Sequence, residues 1–261
     1  MSSLDKVFEK VIKDKARTIP GKARIIEKAK QSGRLLAVSG GMDYVEKVLP
    51  YCYAAEKQLI GPKDSPPDLQ NFDAIFVGCP GRVRLEQWQG SLIKFVQEGG
   101  LLLTTDWSLN HMIEKLFPHT IRKKGSAHGT FPLRVRMPGH PLLEGISDCD
   151  GTPWVVEASS HRIEVIDPKR VQVILDAPKM GEPSAVLVAF EFGKGMVVHA
   201  ISHFHLQGSE ASGEYVSAYV LTNVIDEAIR RRYPEPMAPR IRLIDKSEPS
   251  SPPRIRILKS S

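Results

Sequence analysis

Residues 73–106 read DAIFVGCPGRVRLEQWQGSLIKFVQEGGLLLTTD. Two short apolar runs, DAIFVG and LLLTTD, flank a segment in which Leu85, Trp88, Leu92, Phe95 and Val96 recur at helical spacing, with Gly99 and Gly100 as its stop. A strand that is apolar on both faces belongs inside a parallel sheet, and the amphipathic segment supplies the crossover helix. The same alternation extends outward. Upstream, RLLAVSGG (34–41) predicts a buried strand, followed by a helix from Asp43 to Leu49 that stops at Pro50. Downstream, SLNHMIEKLF (108–117) predicts a helix capped by Ser108. After residue 120 the pattern turns β-rich, with HRIEVI, VQVILDA, SAVLVAFEFG and KGMVVHAIS as strands and FGKG as a hairpin turn. GEYVSAYVLTNVIDEAIRRR (213–232) predicts a long final helix with Val216, Tyr219, Val220, Val224, Ile225 and Ile229 as its stripe. The expected class is α/β: a doubly wound, mostly parallel sheet with helices on both faces and a β-rich C-terminal half.

Three divisions follow. Residues 1–33 form a helical extension in which Leu4, Val7, Phe8, Val11 and Ile12 share a face; residues 34–232 form the α/β domain. Residues 233–261 are a Pro/Ser/Arg-rich tail, too poor in apolar residues to fold alone and expected to be disordered. The tail contains a repeat, PRIRLI from Pro239 and PRIRIL from Pro253. Arg240, Ile241 and Arg242 in one copy and Arg254, Ile255 and Arg256 in the other alternate as an extended segment does, and such a segment can add to a sheet edge. A protein partner docking on this tail is therefore expected.

The composition, 41% hydrophobic and 25% charged over 261 residues, is that of a globular protein. No apolar run approaches the roughly 20 residues of a membrane helix, and the charges in MSSLDKVFEK leave no signal-peptide core, so no membrane contact and a cytoplasmic location are expected. Cys52, Cys79 and Cys149 are too scattered for a disulfide framework or a zinc knuckle. The net charge is +6, but Arg230, Arg231 and Arg232 suit a helix C-terminus and five more basic residues lie in the tail, which argues against a dedicated nucleic-acid surface.

An ordered set of motifs carries a resemblance: NFDAIFVGCPG (71–81), LIKFVQEGGLLLTTD (92–106), GHPLLEGI (139–146), FEFGKGMVVHAISHF (190–204) and YVLTNVIDEAI (219–229). Over about residues 34–230 the chain resembles the class I glutamine amidotransferase-like superfamily, in particular its trehalose-utilisation-like (ThuA-like) branch. The resemblance implies a flavodoxin-like sheet. It also implies a nucleophilic cysteine in a G-x-C-x-G turn, at the position here occupied by Thr104-Thr105-Asp106-Trp107-Ser108, which has neither cysteine nor glycine. Thr105 and Ser108 are poor substitutes without an adjacent base. The family's late F-H-P-E becomes FHLQ, with His205 at the histidine position and Gln207 where an acid would support it. The resemblance thus implies a catalytically degenerate member.

The remaining candidates are individual residues. Cys79 closes a strand at the edge where such sheets bind ligands, but Pro80 removes an N–H that an oxyanion hole often uses, so an inert thiol is the expectation. In HAISHFH, His203 and His205 on an extended strand point the same way and could share an ion; no Asp, Glu or Cys stands next to them, Glu210 and Glu214 being the nearest acids further on, so neither a metal nor a cofactor is expected. Asp106, Trp107, His203 and His205 are expected to meet in a cleft that takes a small ligand, and His140 to sit exposed in a turn. The leading expectation is a non-catalytic binding module. A hydrolase or carbohydrate-related enzyme centred on Asp106, His203 and His205 is the alternative.

Overall fold

The computed structural model describes residues 3–234 apart from Tyr44, Ser147 and Glu210. The repeated tail segments around Arg240–Arg242 and Arg254–Arg256 lie outside the described residues.

The chain begins with α1 (Ser3–Thr18) and α2 (Lys22–Ser32), then enters β1 (Arg34–Val38), α3 (Val45–Val48), β2 (Glu56–Ile60), β3 (Ala74–Val77), α4 (Leu85–Gln97) and β4 (Leu101–Thr105). A short α5 (Glu114–Leu116) leads into β5 (Ile121–Pro132), β6 (Arg134–Val135), β7 (Pro153–Val165), β8 (Val171–Asp176), β9 (Ala185–Phe192) and β10 (Gly195–Ala200), and α6 (Ala211–Arg232) follows. All ten strands join one sheet. Its first half is the parallel run β2-β1-β3-β4-β10. Its second half is antiparallel: β9 pairs with β10 and with β8, β8 with β6, and β7 with β5, while β7 meets β9 only at Ile163–Ala185. The result is a mixed α/β fold.

The parallel half forms because β1, β3, β4 and β10 are apolar on both faces and almost wholly buried. α4 packs on β4 and β10, and α6 on β3 and β4. α6 is buried nearly all round, because α1 and α2 cover the side turned away from the sheet. That cover is polar at its centre. Lys15 and Lys22 are fully buried and both reach the carboxylate of Asp226, with Lys15 Nζ at 2.7 Å. Tyr53 donates its hydroxyl hydrogen to the same carboxylate.

Local departures from the sequence expectation have physical reasons. α3 ends at Val48, and Pro50 lies inside a 3-10 turn, Leu49–Tyr51, where a missing N–H costs little. Ser108 does not cap the helix it precedes. Leu109–Ile113 is a π-helical turn without a side-chain cap, and the Ser108 hydroxyl donates to Gly78 O at 3.4 Å. β10 stops at Ala200, and a 3-10 turn begins at Phe204, so His203 and His205 lie beyond the strand rather than on it. His140 is buried, not exposed: its Nδ1 accepts from Leu142 N at 3.1 Å, capping a 3-10 turn. No helix among the described residues is long and apolar enough to cross a membrane.

Candidate functional site

The carboxyl ends of β1, β3, β4 and β10 are neighbours in the sheet, so the loops that follow them converge. Asp43, Cys79, Asp106 and the pair His203 and His205 sit on those four loops. The first two loops touch through their backbones. Cys79 O accepts from Met42 N at 3.3 Å and Asp43 N at 3.2 Å. Gly40 makes this approach feasible, since a Cβ there would stand 1.7 Å from Cys79 O. Thr105 ties in the third loop: its hydroxyl donates to Asp43 Oδ2 at 2.6 Å and accepts from Cys79 N at 3.2 Å.

Asp106 occupies the turn from β4 into the following helix, with φ 46°, a left-handed conformation that is uncommon for a residue with a side chain. It is 3% exposed. Oδ1 accepts from His161 N at 2.8 Å and Oδ2 from the Ser160 hydroxyl at 3.3 Å. Burial raises its carboxyl to about 6, against the His161 N–H and the His203 charge, which pull the other way. β7 thus reaches across the turn. Trp107 fastens it there, donating Nε1–H to Ser159 O at 2.9 Å and stacking on His161 with ring centroids 5.3 Å apart.

His203 faces acids on two sides. Nε2 lies 3.7 Å from Asp106 Oδ2, and Nδ1 lies 2.6 Å from Glu157 Oε2. The second contact is close but off the N–H direction, so neither ring nitrogen has a directed hydrogen bond. Burial works to lower this imidazole's pKa; the Glu157 contact and the charges of Asp43, Glu157 and Asp106 outweigh burial and raise it. His205 pairs with Asp43, Nδ1 to Oδ1 at 3.1 Å, and its ring stacks on His203 at 5.7 Å. Cys79 Sγ lies 3.8 Å from Asp106 Oδ2. Burial pushes the Cys79 thiol well above its ordinary range, with the Asp106 charge acting in the same direction, so it rests as a thiol.

Cys79, Asp106, His203 and His205 therefore meet, as donor groups of three chemical kinds. Trp107 stands at their edge against β7. His199 does not join them: it lies in β10, hydrogen-bonded to the Thr104 hydroxyl at 2.8 Å. Gln207 is a clamp, its Oε1 accepting from Val155 N at 2.9 Å and its Nε2 donating to Val155 O at 3.0 Å and His203 O at 3.1 Å. The acids that support the histidines are Asp43 and Glu157, which the sequence reading missed. Asp43 was accessible to the rule that ligand residues follow the strands of a parallel sheet. Glu157, on an antiparallel strand, carried no such signal. Two triplets bring their donor atoms within 4.8 Å of one another: Asp43, His203 and His205, and Cys79, Asp106 and His203.

No family model and no curated protein sequence matches the chain. Solved structures do. PurLQS from Thermotoga maritima is 14% identical with a TM-score of 0.57, over 75% of this chain and 98% of that one. A GMP synthase subunit from Thermoplasma acidophilum is 14% identical with a TM-score of 0.55, over 77% and 96%. A β-galactosidase from Rahnella sp. R3 is 16% identical with a TM-score of 0.50, over 66% of this chain and 29% of that much longer one. At these identities the likeness is one of fold, and the fold is that of the glutamine amidotransferase-like superfamily.

Proposed function

We propose that this chain is a glutamine amidotransferase-like domain of the ThuA-like branch that has lost amide hydrolysis and serves as a cytoplasmic binding module, with residues 233–261 docking a protein partner. The strand order β2-β1-β3-β4-β10 supports a flavodoxin-like core. One observation carries the loss of hydrolysis. The strained turn after β4 holds Asp106, a buried carboxylate engaged by His161 and Ser160, where the resemblance calls for a cysteine thiolate. The thiol nearest to it, Cys79, stays protonated. A cavity beside Asp43 and Thr105 has a volume of about 20 Å³, the room of a single water and far less than a glutamine side chain needs.

The test is ammonia release from glutamine by the full chain. None above buffer is expected. Hydrolysis that disappears in Cys79→Ala would overturn the reading. Docking is tested by affinity purification with the full chain and with a chain ending at Tyr233; a partner recovered only with the tail is the expected result.

A second reading rests on a separate observation. Asp106, His203 and Glu157 stand in sequence as a carboxylate, an imidazole and a supporting acid, at 3.7 Å and 2.6 Å. Such a series could serve a hydrolase with a carboxylate nucleophile, acting on a sugar or an ester. The burial of Asp106 weighs against it. Turnover of nitrophenyl esters or glycosides, abolished in His203→Ala, would favour this reading over the first.

A further inference from the structure

We infer that Cys79, Asp106 and His203 form a binding site for one transition-metal ion, of which Zn²⁺ fits the donors best. The inference is independent of whether the domain hydrolyses anything.

Geometry carries it first. Cys79 Sγ lies 3.8 Å from Asp106 Oδ2, and Asp106 Oδ2 lies 3.7 Å from His203 Nε2. A tetrahedral zinc with its sulfur at about 2.3 Å and its nitrogen and oxygen at about 2.0 Å sets S···O and O···N edges of about 3.3–3.5 Å. A contraction of a few tenths of an ångström brings all three atoms onto one ion.

Unmade bonds point the same way. His203 is 3% exposed, yet neither ring nitrogen has a directed hydrogen bond. A buried imidazole in that condition lacks a partner that the fold otherwise supplies to its polar groups. Asp106 is half committed: Oδ1 is held by His161 N, while Oδ2 is turned toward the thiol and the imidazole. Glu157, 2.6 Å from His203 Nδ1, is placed as the outer carboxylate of a carboxylate–histidine–metal series, which fixes the tautomer that leaves Nε2 free to bind.

Charge and softness complete the case. A thiolate and a carboxylate neutralise a divalent ion, so the buried site carries no net charge once loaded. Binding releases the Cys79 proton to solvent, a cost that a thiolate–metal bond offsets and that hard cations such as Mg²⁺ and Ca²⁺ do not. The competing triplet is less suited. Asp43 and His205 are already bonded to each other, and Asp43 Oδ2 also accepts from Thr105, so an ion there would have to break existing bonds.

The full chain is loaded with Zn²⁺, passed through a desalting column and assayed for metal. One zinc per chain is expected. X-ray absorption of the loaded native chain should give one sulfur at about 2.3 Å among nitrogen and oxygen ligands at about 2.0 Å. The Co²⁺-loaded chain should show a thiolate-to-cobalt charge-transfer band that is missing in Cys79→Ser, with affinity at least about tenfold weaker in that variant and in His203→Gln. Substoichiometric metal, or a ligand shell without sulfur, overturns the inference on the native chain alone. So does binding that survives in Cys79→Ser and is lost in His205→Ala, which would place the ion on Asp43, His203 and His205.

Discussion

Glu157 Oε2 lies 2.6 Å from His203 Nδ1. The carboxylate comes from the antiparallel half of the sheet and the imidazole from the loop that ends the parallel half. This contact, with the Asp43 and Asp106 charges, overcomes burial and raises the His203 pKa. Replacing Glu157 by Gln keeps the shape and removes the charge. The pKa of His203 in the metal-free chain should then fall, as read from its imidazole proton resonances by NMR. An unchanged titration would mean that Asp43 and Asp106 hold the ring's charge by themselves.

Asp226 is the carboxylate shared by two fully buried lysines, Lys15 and Lys22. Burial acts to raise its pKa, but the two cations outweigh burial and lower it; Lys15 falls to about 8 because burial outweighs Asp226. Asp226→Asn takes the counter-charge from Lys15 and leaves Lys22 with Glu144 alone, at 2.8 Å. The expected loss is about 3–5 kcal/mol in urea unfolding, because the remaining charges stay buried. A loss within experimental error would mean that water reaches the lysines.

His199 is fully buried, and burial lowers its pKa from 6.5 to about 3. In the unfolded chain it takes up a proton near 6.5, so between 6.5 and 3 the unfolded state binds more protons than the folded one. Stability therefore falls as pH drops through that window, and the effect is absent above it. Unfolding free energies at pH 7 and pH 4.5 should differ by about 2–3 kcal/mol more in the native chain than in His199→Gln. Equal pH dependence in both would assign acid sensitivity to other groups.

Gln207 stands where a supporting acid was anticipated, but its amide hydrogens point at the carbonyls of Val155 and His203. Gln207→Glu would aim a carboxylate at those two oxygens and discard both donated bonds. The variant should lose at least about 2 kcal/mol of stability and gain no glutamine hydrolysis. Thermal unfolding and ammonia release check the two halves of that statement.

Much of the fold was legible because β1, β3, β4, β9 and β10 are apolar runs, and α4 is amphipathic at the right period. β2, EKQLI, escaped notice because it is an edge strand with polar, largely exposed residues. β5 escaped for a related reason. It forms a two-stranded ribbon with β7 whose outer residues are exposed, and two irregularities, between Lys123 and Ser126 and between Ala127 and Gly129, break its alternation. Within the site, Cys79, Asp106, His203 and His205 were visible as chemistry at strand ends. Their arrangement was not, because Asp43 and Glu157 reach them across the sheet and leave no spacing in the chain. The polar partners of α6 were hidden in the same way, since its stripe of apolar residues gave no sign that α1 and α2 would cover Asp226.

The position of β10 in the sheet also sets a schedule. It lies between β4 and β9, and among the described strands it alone is hydrogen-bonded to both halves. During synthesis the four earlier parallel strands can pair as soon as β4 emerges, and the antiparallel group can assemble as a separate unit. Neither can be stitched to the other until Gly195–Ala200 has left the ribosome. Joining the halves is thus a late, long-range event with a high loop-closure cost. A nascent chain stalled shortly before residue 195 would present two open sheet edges, those of β4 and β9, to any chaperone that binds unpaired strands.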